Sequence, residues 1–266
     1  MDLSVFDSEL LKRIFRGAKR ITGASAPRPR GELTKELLLS VLPHLNKDSF
    51  DDLNIYAAFC TAFAAFLRCG EFTWSTWQLD SHLFQLSRGA VQFTPDSVTL
   101  HLPSSKTDPF RTGRDIHLAR SSDLSCPVSA LSLLFHHYPG SPTDPLFSRT
   151  FGPFDSAWVI ASLRRVLLAA GLDPTHFSGH SFRRGAVNSA FAAGLSREDI
   201  MRLGRWESDA IDRYISATTN ELQLLSLSHQ LHSRPGPSTS ESLPGRQDPV
   251  EDSPAFNRNT RSQARS

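Results

Sequence analysis

The stretch FSGHSFRRG at 177–185 sets a histidine and two arginines, His180, Arg183 and Arg184, at the mouth of an apolar helical pattern. Such residues can be bland surface charge, or they can grip a phosphate. Arginine's planar fork binds two phosphate oxygens and keeps its charge, and the free N–H groups of a first helical turn favour an anion. The spacing HxxR decides nothing alone, because ten histidines in a chain this rich in arginine give about one such match by chance. Weight comes from an ordered set. AFLRCGE supplies Arg68 and, three residues on, Glu71; SSKTDPFRTG supplies Lys106; GHSFRR supplies His180 and Arg183; LGRW supplies Trp206; and DRYI, eight residues later, carries Tyr214. The chain has 24 arginines and five lysines, and Lys106 is the only lysine after residue 47. Codon bias toward arginine explains the scarcity but not why this position keeps its lysine.

The elements that must hold these residues are legible as patterns. Residues 7–21 fit a short amphipathic helix, and TGASAPRPRG reads as a linker broken by glycine and two prolines. Thr34 caps a short helix that ends near Pro43, and a helix apolar on nearly every side runs from about Asp51 to Cys69. AVQF, VTLHL and RDIHL are β-like runs, expected to form a small antiparallel sheet with Lys106 between the last two strands. Helical pattern resumes after Pro127 and over Asp155–Ala170, with Gly171 as its stop. Further helices are expected from His180 to Gly194, after a Ser196/Asp199 cap, through SDAIDRYI, and over 219–232. From Ser233, five prolines and seven serines in 34 residues leave little to bury, so the tail is expected to be disordered.

In order and context this set resembles the tyrosine recombinase (phage integrase) family: Arg with a following Glu, a β-hairpin Lys, HxxR, a His or Trp, then Tyr. The wording GHSFRRGA, GRWESDA and RYI is most similar to recombinases of eukaryotic mobile elements of the Crypton and DIRS type. The resemblance covers roughly residues 33–217. It implies the tyrosine recombinase catalytic-domain fold, mainly α with a small antiparallel β-sheet. It also implies DNA strand exchange through a 3′-phosphotyrosyl intermediate, and a supporting role for Glu71.

Elementary chemistry agrees with each assignment. Exchanging one phosphodiester for another needs a nucleophile, a leaving-group acid and cations around the equatorial oxygens. Arg68 and Arg183 are the expected clamp. His180 can donate to phosphate or accept the nucleophile's proton. The Trp206 indole N–H is a donor only, so it can bind a phosphate oxygen but cannot serve as acid or base. Arginine does not release its proton in proteins, whereas lysine can protonate a departing 5′-alkoxide, the role expected of Lys106. Tyr214 is then the nucleophile. The reaction needs no ATP, metal or cofactor. Two features depart from the family: Trp206 stands one residue closer to Tyr214 than the commonest spacing, and little precedes the catalytic region that could form a core-binding domain.

Composition bounds the rest. No apolar run approaches the roughly 20 residues that span a bilayer, and three cysteines without CxxC spacing suggest neither disulfides nor a zinc ribbon. An intracellular location is expected, nuclear in a eukaryote. Net charge is only +2. From Lys12 to Arg30, however, seven basic residues occur without an acid. Arg13, Arg16, Lys19, Arg20, Arg28 and Arg30, together with Arg184, are candidates for DNA-backbone contacts, though a solvated arm would look the same. The expected organisation is a remnant helix and basic linker (1–31), a catalytic domain (32–232) and a tail (233–266). The partner is double-stranded DNA, bound by a homo-oligomer because two duplexes must exchange strands. Two other readings share these residues: a truncated or domesticated descendant that binds DNA without cutting it, and a type IB topoisomerase.

Overall fold

The structure is a computed structural model that describes Arg13, Gly17 and residues 30–103, 113–207 and 209–215. Most of the expected 7–21 helix, the 219–232 helix, the tail and Lys106 lie outside these residues. Among the described residues no helix is long and apolar enough to cross a membrane.

The architecture is mainly helical with one small sheet, as the sequence predicts. Helix α1 (Lys35–Val41) begins where Thr34, in extended conformation, accepts from the Leu37 N–H. Helix α2 (Phe50–Ala64) is capped by Ser49 and buries every residue from Leu53 to Ala62, which makes it the central helix. It stops at Ala64, short of the expected Cys69. The Phe66 and Leu67 N–H groups turn back to the carbonyls of Phe63 and Ala62, with Phe66 in the left-handed region at φ 52°. This is a Schellman stop with phenylalanine where glycine is usual, so no sequence signal marks it. A second, one-turn helix α3 (Cys69–Phe72) follows, and Arg68 stands before its first residue rather than at the end of a long helix.

Strands β1 (Val91–Phe93), β2 (Ser97–Leu102) and β3 (Arg114–Ala119) form an antiparallel meander in the order β1-β2-β3. Alternation sends Val98, Leu100, Leu102, Ile116 and Leu118 into the core. On the outer face, His101 pairs with Asp115 at 2.7 Å and Thr99 bonds His117 at 3.0 Å. Because Leu102 is registered opposite Arg114, the segment carrying Lys106 joins β2 to β3.

Helix α4 (Pro127–His137) packs on α2. Helix α5 (Ser156–Ala169) begins at Asp155, whose carboxylate accepts from the Trp158 N–H at 2.7 Å, and ends at Gly171 (φ 74°), the stop expected for it. Helix α6 (Ser181–Ala192) packs against α2 and follows His180, while α7 (Arg197–Gly204) follows the Ser196 cap. The SDAIDRYI segment is a 3₁₀ turn over Asp209–Arg213 rather than the expected α-helix. A small apolar cluster of Phe66, Ala186, Val187, Ile200, Trp206 and Ile211 ties the end of α2, α6, α7 and this turn together, with Tyr214 on its edge.

The chain before α1 lies along the start of α6. The Gly31 N–H donates to the His176 carbonyl at 2.8 Å and the Leu33 N–H to the Ser181 carbonyl at 3.0 Å. Gly185 permits this approach: a Cβ there would sit 1.8 Å from the Leu33 carbonyl oxygen. Gly185→Ala should therefore destabilise the domain by about 3 kcal/mol, as backbone overpacking does. Gly70→Ala, where an added Cβ meets nothing within 4 Å, should not. Urea unfolding of the two variants separates steric exclusion at Gly185 from a general intolerance of alanine for glycine.

A candidate phosphate site on buried arginines

The base of the site is Arg183. Its side chain has 0% exposure, the largest fully buried side chain of the domain. One guanidinium nitrogen donates to the carbonyl of Phe66, in the turn just past the end of α2, and another to that of Gly204, the last residue of α7. Its flat face lies 4.0 Å over the Trp206 ring, a cation–π contact. Trp206, 8% exposed, also packs edge-on against Phe66 and Tyr214. Gly204 is required here, because a Cβ would come within 1.5 Å of the indole.

One carboxylate answers three arginines. Glu71 accepts from the Arg68 backbone N–H and from the Arg68 guanidinium, each at 2.8 Å. It also accepts from Arg205 at 3.4 Å and lies 4.0 Å from Arg183. Arg205 sits in the left-handed region at φ 58° and donates to the Ala65 carbonyl at 2.8 Å. Three cations around one anion leave an excess of two positive charges in a largely enclosed place. Burial is what most depresses the Arg183 and Arg205 pKa values; at Arg183 the nearby Arg68 charge adds to it, with Glu71 opposing at both.

The open side holds His180 and Tyr214. His180 is exposed, and its ring centroid lies 6.2 Å from that of Tyr214. Its pKa is held below the usual imidazole value by burial first, then by Arg184, Arg68, Arg183 and Arg30. Tyr214 is half-buried 5.7 Å from the Arg183 guanidinium carbon. Its carbonyl accepts from Asn188 of α6 at 2.9 Å, which fixes the residue against that helix. Arg114, at the base of the β2–β3 connection, pairs with Glu207 beside Trp206, so that connection springs from the edge of the site.

The structure therefore brings Arg68, Glu71, His180, Arg183, Trp206 and Tyr214 together. Two of them differ from the sequence expectation. Arg183 is enclosed and bonded to carbonyls instead of lying open as a clamp, because two helix ends converge on it. Trp206 forms the wall behind that guanidinium instead of lining the open face. Arg205 was missed. It stands at the spacing from Tyr214 that Trp206 misses by one residue, and its position in LGRW was the available signal. Of the backbone candidates, Arg30 and Arg184 lie beside His180, and Arg13 is exposed. Arg16, Lys19, Arg20 and Arg28, like Lys106, lie outside the described residues.

No family model matches the chain, and no curated protein does by sequence. Solved structures do match. The XerH site-specific recombinase bound to palindromic difH substrate is 13% identical over 76% of this chain and 53% of its own, with a TM-score of 0.52. A lambda integrase dimer bound to a COC′ core site is 18% identical over 72% and 49%, with a TM-score of 0.51. The Tn1549 transposon integrase in complex with transposon right end DNA is 13% identical over 79% and 70%, with a TM-score of 0.52. The chain spans about half the length of the first of these. The helical body with its three-stranded antiparallel sheet is thus the tyrosine recombinase catalytic-domain fold.

Two measurements test the electrostatics. Glu71→Gln keeps the shape but leaves three arginines without their anion. It should cost about 3 kcal/mol in urea unfolding, the scale for breaking a buried pair. His180 carries a folded pKa below its unfolded one, so the unfolded chain binds more protons in acid. Its contribution is intact above about pH 6.5 and is lost as pH falls below that value. His180→Asn should shrink the drop in thermal stability between pH 7 and pH 5. An unchanged drop would show that His180 does not titrate there.

Proposed function

We propose that this chain is the catalytic domain of a DNA tyrosine recombinase, of the branch found in eukaryotic mobile elements of the Crypton and DIRS type. It would break and rejoin strands of double-stranded DNA. One observation carries the reading: a tyrosine side chain is held beside His180 at the rim of a cluster whose arginines outnumber its carboxylate three to one. An anionic phosphodiester would offset part of that excess, and the remaining positive charge would favour the further negative charge that develops at phosphorus as the bond exchanges. The likeness to recombinases solved on DNA supports the same reading.

The step balances without an external reagent. The Tyr214 hydroxyl oxygen bonds to phosphorus, the bond from phosphorus to the 5′ oxygen breaks, and the product is a 3′-phosphotyrosyl ester. His180, whose pKa is lowered by burial and then by the neighbouring arginines, receives the tyrosine proton. Lys106, carried between β2 and β3, supplies the proton to the leaving 5′ oxygen. Phosphodiester is exchanged for phosphodiester, so the reverse reaction reseals the strand. Exchange between two duplexes requires a homo-oligomer on DNA, and in a eukaryote the work is done in the nucleus.

The test is covalent trapping on nicked duplexes made from the flanking DNA of the chain's own gene, without metal or ATP. Wild type should give an SDS-resistant adduct mapped to the Tyr214 peptide, and Tyr214→Phe should give none while retaining salt-sensitive DNA binding. An adduct that persists in Tyr214→Phe refutes the nucleophile. Binding without any wild-type adduct would assign the chain instead to DNA-binding descendants of such enzymes.

A further inference from the structure

Tyr214 is held at its ring and at its backbone by different elements. The ring lies against Trp206, with centroids 5.4 Å apart, and 6.2 Å from the ring of His180. The Tyr214 carbonyl accepts from Nδ2 of Asn188 at 2.9 Å. The same nitrogen donates to the Arg184 carbonyl at 3.0 Å. Both partners are carbonyl acceptors, so the two N–H bonds of the amide fix which way its side chain faces. Asn188 is 5% exposed, and these bonds are made away from competing water.

His180, Arg184 and Asn188 follow one another at four-residue steps along one side of α6. From His180 to Asn188 the helix rises about 12 Å. Tyr214 is tied at its carbonyl to the far end of this row and meets the near end with its ring, so its side chain runs back along α6 toward the site. An anchor at the carbonyl then sets how far the hydroxyl reaches. A second tie on the same turn is of a different kind. Arg197 of α7 pairs with Asp212 at 2.6 Å and Asp209 at 3.2 Å, but these carboxylates are 58% and 87% exposed, where solvent and salt weaken an ion pair.

We infer that Asn188 is the positioning residue that places the Tyr214 hydroxyl for attack, its amide bridging the nucleophile's backbone to the α6 turn that carries Arg184. It acts through Tyr214 and not on the DNA. That attack occurs at all rests on the recombinase reading; the placement rests on the geometry of the bridge. Without the bridge Tyr214 can shift along α6, and a displacement of about 1 Å at a reacting group costs about 100-fold in rate.

Asn188→Gln keeps the amide and both its donors on an arm one methylene longer, and Asn188→Ala removes the amide. Each is compared with wild type in the full chain for melting temperature, affinity for the nicked duplex and rate of adduct formation at saturating DNA. The chain has three tyrosines, so 3-fluorotyrosine labelling gives each its own fluorine resonance, and Tyr214→Phe identifies that of Tyr214. Both Asn188 variants should bind DNA within about twofold of wild type yet form the adduct about 100-fold more slowly. The Tyr214 resonance should move in both, with those of Tyr56 and Tyr138 unchanged. Arg197→Gln should slow the adduct by no more than about fivefold, the scale of an exposed pair. Where Asn188→Ala melts too low to assay, Asn188→Gln carries the test. A folded Asn188→Gln that reacts at the wild-type rate overturns the inference. So does a loss of DNA affinity as large as the loss of rate, which would make Asn188 a support of the whole site. Arg197→Gln as slow as Asn188→Gln also overturns it, because placement would then belong to the turn. If wild type forms no adduct on any DNA while the Tyr214 resonance moves in both Asn188 variants, the placement stands and the cleavage reading falls. If wild type forms the adduct and that resonance stays in place, the cleavage reading stands and the inference falls.

Discussion

The site depends on the burial of one guanidinium between two helix ends. Arg183 takes the last carbonyl of α7, a group that every helix leaves without an internal partner, and the Phe66 carbonyl in the turn that ends α2. Their partial negative charge favours a cation, and the Trp206 face closes the third side. Remove that guanidinium and two buried carbonyls lose their donors while α2 and α7 lose their common strut. The cost of enclosing an ion is offset here by oriented dipoles more than by a countercharge, since Glu71 is 4.0 Å away and engaged mainly with Arg68 and Arg205.

That convergence explains where the backbone is strained. Four helices end in the same double turn-back of N–H groups onto their last carbonyls. At Gly171 and Gly194, remote from the arginines, glycine takes the left-handed residue at no steric cost. At Phe66 and Arg205, which meet at the cluster, bulky residues take it instead. Left-handed conformations in such residues are held only where the surroundings over-determine them. Phe66 offers its carbonyl to Arg183 and its ring to Trp206, while Arg205 spans from Ala65 to Glu71. Glycine would relax both turns but remove the Phe66 ring from Trp206 and the Arg205 bridge from Ala65 to Glu71, so strain and site share one origin.

The same two residues show why part of the structure was illegible in the sequence. Caps at Thr34, Asp155 and Ser196, the Gly171 stop and the three alternating strands carry local chemical signals, and the elements appear where those signals stand. A Schellman turn on phenylalanine carries none, so the apolar run from α2 reads straight through the break at Phe66 and puts Arg68 on the wrong element. The site was legible as a set of residue types in order, but not as a division of labour. Arg183 and Arg184 are neighbours on one helix, separated by about 100° of rotation. Spacing relative to His180 admits either as the outward cation. Only the position of α2 and α7, set by tertiary packing, turns one inward.

A site built this way separates rigidity from recognition. The enclosed layer of Arg183, Arg205, Glu71 and Trp206 is cross-braced by dipoles, a shared carboxylate and aromatic faces, and none of it needs a ligand to stay in place. The outer layer of Arg68, His180 and Arg184 is positioned against it, and only Arg68 of the three is paired with a carboxylate of that layer. Cations held in advance and short of negative charge stabilise an incoming phosphate without reorganising as charge develops, which is where electrostatic preorganisation acts most strongly. Burial first, and then the charges of Arg184, Arg68, Arg183 and Arg30, lowers the His180 pKa, which favours the neutral, proton-accepting imidazole beside Tyr214. Arg183, which holds the ends of α2 and α7 together, is thus also one of the several cations that act on the imidazole beside Tyr214.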